Sequence, residues 1–166
     1  MEAQAVSYSG QGFSLRGEKG RFVLPPDFRK AVRDSGGGER VLCLAKHDRW
    51  ACLTGFGLSR EAALELQLDR EERVAIERGL DFDRELRASQ LFGFSKIPFD
   101  DSGRFVLPDR FLRLARIDDR LFFQGAGGFF TIWNPDELAR MGDGWEGAQA
   151  ACAEFAAEAL AGKGRR

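Results

Sequence analysis

The hexapeptide Gly20-Arg21-Phe22-Val23-Leu24-Pro25 occurs a second time, unchanged, as Gly103-Arg104-Phe105-Val106-Leu107-Pro108. A six-residue identity within 166 residues is not a chance event, and a fold for this chain must accommodate the same short unit twice. The match continues through Phe28 and Phe111 at the same offset. Further on, Arg40-Val41-Leu42-Cys43-Leu44 aligns with Arg120-Leu121-Phe122-Phe123-Gln124 once Ser35–Gly38 is treated as a local insertion. Trp50-Ala51-Cys52-Leu53 then falls opposite Phe130-Thr131-Ile132-Trp133. Each copy spans about 35 residues, the size of one supersecondary unit.

Both copies read alike. A Gly-Arg turn leads into a β run, Phe22-Val23-Leu24 or Phe105-Val106-Leu107, of aromatic and branched residues. Proline then stops the ladder because it lacks an N–H, and its fixed φ suits the first turn of a helix. Short amphipathic turns follow at Pro26–Val32 and Pro108–Leu114. A strand pair closes each copy: Val41–Leu44 and Trp50–Leu53 about a turn at Lys46–Arg49, then Leu121–Gln124 and Phe129–Trp133 about Gly125–Gly128. Phe22, Phe28, Phe105, Phe111, Phe122, Phe130 and Trp133 are expected to form the core. Between the copies, Ser59 is the expected N-cap of a helix over Glu61–Arg78, with a second helix over Asp83–Phe92. After copy two, Asn134-Pro135 opens a short helix, Gly142–Gly144 breaks it, and an Ala-rich helix runs over Glu146–Ala161.

The net charge of −1 hides a segregation. Arg16–Arg33 carries six basic residues against two acids, and Lys96–Arg116 five against three, whereas Glu61–Glu85 holds nine acids and four arginines. Such a pattern suits either a positive face turned to a polyanion or a solvated, salt-bridged surface. No run approaches the about 20 apolar residues of a membrane helix. Met1–Gly12 shows neither the basic nor the apolar region of a secretory leader, and three cysteines without CxxC spacing argue against a disulfide framework; a reducing cytoplasm is the expected setting. Cys43 and His47 have a spacing that suits zinc, but no partner ligands accompany them. The single histidine removes most catalytic triads, and Gly125–Gly128 lacks the Lys-Ser/Thr of a phosphate loop.

The doubled pattern of Gly-Arg turn, β run, proline, short helix and hairpin, with a helical linker, resembles the MraZ family over Phe13–Leu138. The resemblance implies an α+β fold of two tandem pseudo-symmetric AbrB-like (swapped-hairpin β) units, at 10–57 and 94–134, with a helical linker at 58–93 and a C-terminal helical tail at 135–166. The family motif is an Asp, three intervening residues, then Arg. Copy two matches it with Asp100-Asp101-Ser102-Gly103-Arg104, whereas copy one has Gly17 in the Asp position of Gly17-Glu18-Lys19-Gly20-Arg21. The resemblance further implies sequence-specific binding of double-stranded DNA at promoter direct repeats. It implies a repressor of a division and cell-wall gene cluster, a ring-like homo-oligomer, and a cytoplasmic, nucleoid-associated protein. It implies no catalysis, no cofactor, no membrane and no small-molecule substrate.

The residue chemistry suits that expectation. Arginine's planar fork donates two parallel hydrogen bonds to guanine O6 and N7, and the preceding glycine allows a tight turn against DNA. Arg21 and Arg104 are therefore the expected base readers, placed by Gly20, Gly103 and Asp100, with Arg16, Lys19 and Lys96 as phosphate contacts. Arg29, Lys30, Arg110 and Arg113 lie on short helices and are expected to be solvated or paired. Two rivals remain. One is a protein-interaction module of the same fold, such as an antitoxin or assembly protein, and the other is a small hydrolase or nuclease built on Asp100 and Asp101.

Overall fold

The computed structural model describes residues 5–164. In chain order these form β1 (Gln11–Leu15), a one-turn 3-10 helix (Glu18–Gly20), β2 (Arg21–Val23), α1 (Pro26–Ser35), β3 (Val41–Lys46) and β4 (Leu53–Phe56). The linker supplies α2 (Arg60–Glu77) and α3 (Arg84–Phe92). Then come β5 (Ser95–Pro98), β6 (Arg104–Val106), α4 (Asp109–Leu114), β7 (Arg120–Gly125), β8 (Phe130–Trp133), α5 (Pro135–Ala139) and α6 (Glu146–Gly164). The fold is α+β, with antiparallel sheets and helices on their faces.

Two sheets are present: a six-stranded one in the order β1-β7-β8-β4-β3-β5, and a two-stranded ribbon of β2 with β6. Exchanging the repeat copies maps β1 onto β5, β7 onto β3 and β8 onto β4, and leaves the order of the large sheet unchanged. The registers obey the same exchange. In the ribbon, Arg21 faces Val106, Phe22 faces Phe105 and Val23 faces Arg104. In the sheet, Leu53 faces Ile132, Thr54 faces Thr131 and Gly55 faces Phe130. An internal two-fold therefore passes through the Phe22/Phe105 pair and the Thr54/Thr131 pair.

One face of the large sheet meets the ribbon and the short helices. Leu42, Leu44, Leu53, Leu121, Phe123, Phe130 and Ile132 are fully buried there with Phe22 and Leu24, and Phe28, Phe105, Leu107 and Phe111 are nearly so. Phe28 of α1 sits 4.9 Å from the Phe130 ring and 5.9 Å from Phe123. Side chains alternate along a strand, so Phe122 and Trp133 face the other way. They pack with Leu138 of α5 and Cys152 of α6, closed by Trp145 and Phe155. All seven core aromatics expected from the repeat are buried.

Several details differ from the sequence reading. Strands β1 and β5 precede each Gly-Arg loop and were not expected; they are the two edges of the sheet, where a glycine or a proline in a short strand is tolerated. The shared burial pattern of β3 and β7 equates Val41, not Arg40, with Arg120, so Ser35–Gly38 is a full four-residue insertion. Trp50–Cys52 forms a turn, and β4 begins at Leu53. The turn is closed by its own polar groups: His47 Nδ1 accepts from the N–H of Arg49 at 3.0 Å and of Trp50 at 3.3 Å, and Lys46 Nζ donates to the Trp50 carbonyl at 2.6 Å. Trp50 caps the second cluster, stacking on His47 and meeting Trp145 edge-on at 4.7 Å. Ser59 does not cap α2. Its hydroxyl is 2.6 Å from that of buried Ser35, and its N–H donates to the same Ser35 Oγ. Asn134 caps α5, accepting from the Asp136 N–H, and Asp83 caps α3, accepting from the Leu86 N–H.

Candidate nucleic-acid interface

The loop before β6 is organised by one carboxylate. Asp100 Oδ1 accepts from the N–H groups of Ser102 at 3.0 Å and Arg104 at 2.9 Å, and Oδ2 accepts from Arg104 Nε at 2.7 Å. These donors, the Arg104 N–H first, hold the Asp100 carboxyl below the usual aspartate value. The backbone closes a ring around it, with Asp100 N donating to Arg104 O at 3.0 Å and Gly103 N to Asp100 O at 2.9 Å. Gly103 turns the chain at a φ of +83°, and a Cβ there would lie 2.4 Å from Arg29 Nε and 2.9 Å from the Leu24 carbonyl. Only glycine meets both conditions. With Nε held by Asp100, the two terminal nitrogens of Arg104 remain as a pair of parallel donors.

Copy one builds the same ring without the carboxylate. Gly17 N donates to Arg21 O at 2.7 Å and Gly20 N to Gly17 O at 3.2 Å. Two successive residues are left-handed here, Lys19 at a φ of +59° and Gly20 at +69°. In place of an aspartate, Arg21 Nε donates to the Glu18 carbonyl at 3.4 Å. Its terminal nitrogen reaches across the ribbon to 4.0 Å from Asp100 Oδ2, the oxygen that also holds Arg104. The same carboxylate thus binds Arg104 and lies near Arg21. The side chain of Arg104 is 47% exposed and that of Arg21 25%.

The ribbon orients this pair. Phe22 and Phe105 are buried on its inner face, so alternation puts Arg21, Val23, Arg104 and Val106 together on the outer face. Exposed Lys19 sits in the loop beside it. Arg16 lies over the Phe22 ring at 5.8 Å, packs beside Gly20 and comes within 3.9 Å of an Asp119 oxygen. Lys96 stands apart on edge strand β5, opposite Cys43. Among the described residues, no hydrogen bond or ion pair joins Lys96 to the two arginines or Asp100.

Two contributors were not read from the sequence. Arg29 was expected to be solvated or paired; instead it is half-buried, with Nε and a terminal nitrogen donating to the Leu24 carbonyl at 3.3 and 3.2 Å. The Leu24 N–H in turn holds the Gly103 carbonyl at 2.8 Å, so α1 of copy one braces the loop of copy two. Ser14 Oγ, on β1, accepts from the Val23 N–H at 2.8 Å and ties the ribbon to the large sheet. Hydrophobic spacing carries no signal for either, since both act through backbone groups that the fold brings near. Asp101, the other acid of the loop, pairs with Arg40, while Lys30 pairs with Asp34 at 2.8 Å. The three thiols are buried and their pKa values pushed up, to about 11 for Cys43 and Cys152 and about 12 for Cys52.

The fold and this face define a duplicated chain whose two repeats share one antiparallel sheet and present a pair of arginines on an outward β-ribbon. Known proteins are similar to this chain along most of its length. The chain is 32% identical over 134 residues to the transcriptional regulator MraZ of Parvibaculum lavamentivorans, covering 80% of this chain and 79% of that protein. It is 31% identical over 126 residues to that of Rhodospirillum rubrum, covering 72% and 74% of the two chains, and 30% identical over 123 residues to that of Gluconacetobacter diazotrophicus, covering 74% and 75%. No protein-family model matches the sequence. The chain belongs to the MraZ family. No helix among the described residues is long and apolar enough to cross a membrane.

Proposed function

We propose that this chain is a sequence-specific regulator of transcription that binds double-stranded DNA through the outer face of the β2–β6 ribbon. The observation that carries the reading is the convergence of Arg21 and Arg104 on one carboxylate oxygen, on the solvent side of a two-stranded ribbon. A two-stranded ribbon fits the major groove, and arginine is the commonest reader of guanine there. Gly20, Gly103 and Asp100 set the geometry, Lys19 and Arg16 contact phosphate at the margin, and Lys96 meets DNA only where the duplex extends beyond the ribbon. The two repeats act as swapped-hairpin units at 10–57 and 94–134, joined by 58–93 and followed by 135–166. The protein assembles as a ring, represses a division and cell-wall gene cluster by binding short direct repeats, needs no cofactor, and works in the cytoplasm at the nucleoid. Several ribbons on one duplex raise the effective concentration of each, so weak single contacts sum to tight binding.

The test is fluorescence anisotropy on duplex DNA from the region upstream of the chain's own coding sequence, across a salt series. Specific binding that weakens steeply with salt and is lost in Arg104→Ala is expected, because phosphate contacts release counterions. Equal, weak binding to this and to random DNA by wild type and variant alike would sink the reading. A protein-interaction module of the same fold would then take its place.

A further inference from the structure

The outer face of the ribbon is not purely cationic. Val23 and Val106 share it with the arginines, 36% and 56% exposed, although the buried face of the same ribbon is filled by Phe22 and Phe105. Each valine stands directly across the strand from an arginine, Val106 from Arg21 and Val23 from Arg104. Cross-strand partners have Cβ atoms about 5 Å apart, so methyl groups and guanidinium present a joint surface. The ribbon ladder does not require valine, because strand propensity at an exposed site is met equally by threonine. A second copy of the same face is a poor occupant, since an isologous contact would set arginine against arginine in a desolvated interface. The occupant that suits cations and branched apolar groups side by side is a major-groove floor, where guanine offers two acceptors and thymine a C5-methyl group.

We propose that Val23 and Val106 are specificity-determining residues, each seating the C5-methyl of a thymine beside the guanine bound by the arginine across the strand. This rests on the reading of the ribbon as a DNA-binding face. The arginines alone specify guanines, and the valines add a requirement for thymine next to them. Methyl contact is apolar and short-ranged, so it discriminates thymine from cytosine and from uracil at one position without altering the salt dependence.

Deoxyuridine, which lacks only the methyl group, separates this from every other contact. Each thymine of a specifically bound duplex is replaced singly by deoxyuridine, and affinities are measured for wild type, Val23→Ala and Val106→Ala, with thermal melts to show that the exposed substitutions leave the fold intact. At one or two thymines wild type is expected to lose about fourfold in affinity, the worth of one buried methyl group. The matching valine variant is expected to bind thymine and deoxyuridine duplexes equally. Wild type indifferent to deoxyuridine at every position, with specific binding still lost in Arg104→Ala, would overturn the valine assignment and leave the DNA reading standing. Equal losses in wild type and both valine variants would overturn it as well, by giving the methyl contact to another group. Absence of specific binding to any duplex would remove the DNA reading, and this assignment with it.

Discussion

The two Gly-Arg loops share a backbone and differ in what braces it. Loop two has a carboxylate that takes three hydrogen bonds, and it rests on Arg29 and the Leu24 N–H of the other copy. Loop one has Gly17 in place of the aspartate, yet the same two backbone hydrogen bonds close it. The motif aspartate is therefore not needed to form the turn. What Asp100 adds is a hydrogen bond to the Arg104 Nε, and the same oxygen lies 4.0 Å from the Arg21 guanidinium. The two-fold brings the aspartate of one copy near the arginine of the other.

The comparison breaks most visibly in the shared core. Phe22 and Phe105 face one another on the two-fold and are both buried, so Phe22→Ala and Phe105→Ala are expected to cost alike, about 3–5 kcal/mol each in urea unfolding. A loss at one site less than half that at the other would show that the halves are not equivalent there. The glycines should then separate the loops. Gly20→Ala meets only a positive φ, with its nearest neighbour 3.5 Å away on a flexible arginine, and is expected to cost about 1–2 kcal/mol. Gly103→Ala meets that strain and the Leu24 carbonyl, and about 1–3 kcal/mol of overpacking is expected in addition. Equal melting curves for the two would refute the asymmetry.

Removing the shared carboxylate tests aim rather than stability. Asp100→Asn is expected to weaken specific DNA binding roughly tenfold, through both arginines, with the melting temperature little changed. The converse, Gly17→Asp, has room, since a Cβ there meets only the Arg21 carbonyl at an ordinary 3.6 Å. It should hold Arg21 as Arg104 is held, and tighten binding; weaker binding would show that Arg21 needs its present freedom. Because the Asp100 carboxyl is depressed, its brace is complete above the ordinary aspartate range and is lost only as pH falls through that lower value. The Arg104 Nε–H resonance should accordingly stay fixed near neutrality and move only in acid.

The smallest effect expected is in the hairpins. Burial lowers the His47 pKa against the opposing pull of Asp48, and its neutral Nδ1 accepts the turn's two N–H groups. Its contribution is full above the ordinary histidine value and falls as pH drops through the lowered one. A decline in melting temperature of about a degree or two between pH 7 and 5, absent in His47→Asn, is expected. The hairpin of copy two, at residues 126–129, has no such group.

Much of the ribbon and its helices was legible because proline, Gly-Arg and the Phe-Val-Leu run are local signals repeated verbatim. Aromatic spacing likewise identified the core. What the sequence hid depends on partners distant along the chain. β1 and β5 have too few branched residues to declare themselves and become strands by pairing with β7 and β3. Trp50 aligned with Phe130 as a strand residue, but His47 and Lys46 bind the local backbone and hold it in a turn. Arg29 looked like a surface charge because nothing local says that the Leu24 carbonyl and Gly103 will lie beside it. The duplication by itself predicts that Arg21 and Arg104 are related by a pseudo-two-fold; the β2–β6 register that sets a valine across from each was not legible.

The order of the large sheet also bears on how the molecule comes into being. β1 finds its partner in β7, and the Gln11 and Gln124 side chains that meet there are 113 positions apart. At ribosomal rates of about 5–20 residues per second, β1 waits roughly 6–23 s before the strand that completes it has been made. The first repeat cannot close on itself during that interval, and its half of the sheet has no finished edge. The large sheet can therefore be completed only after nearly the whole duplication has been synthesised, which is the consequence of weaving two repeats into one sheet.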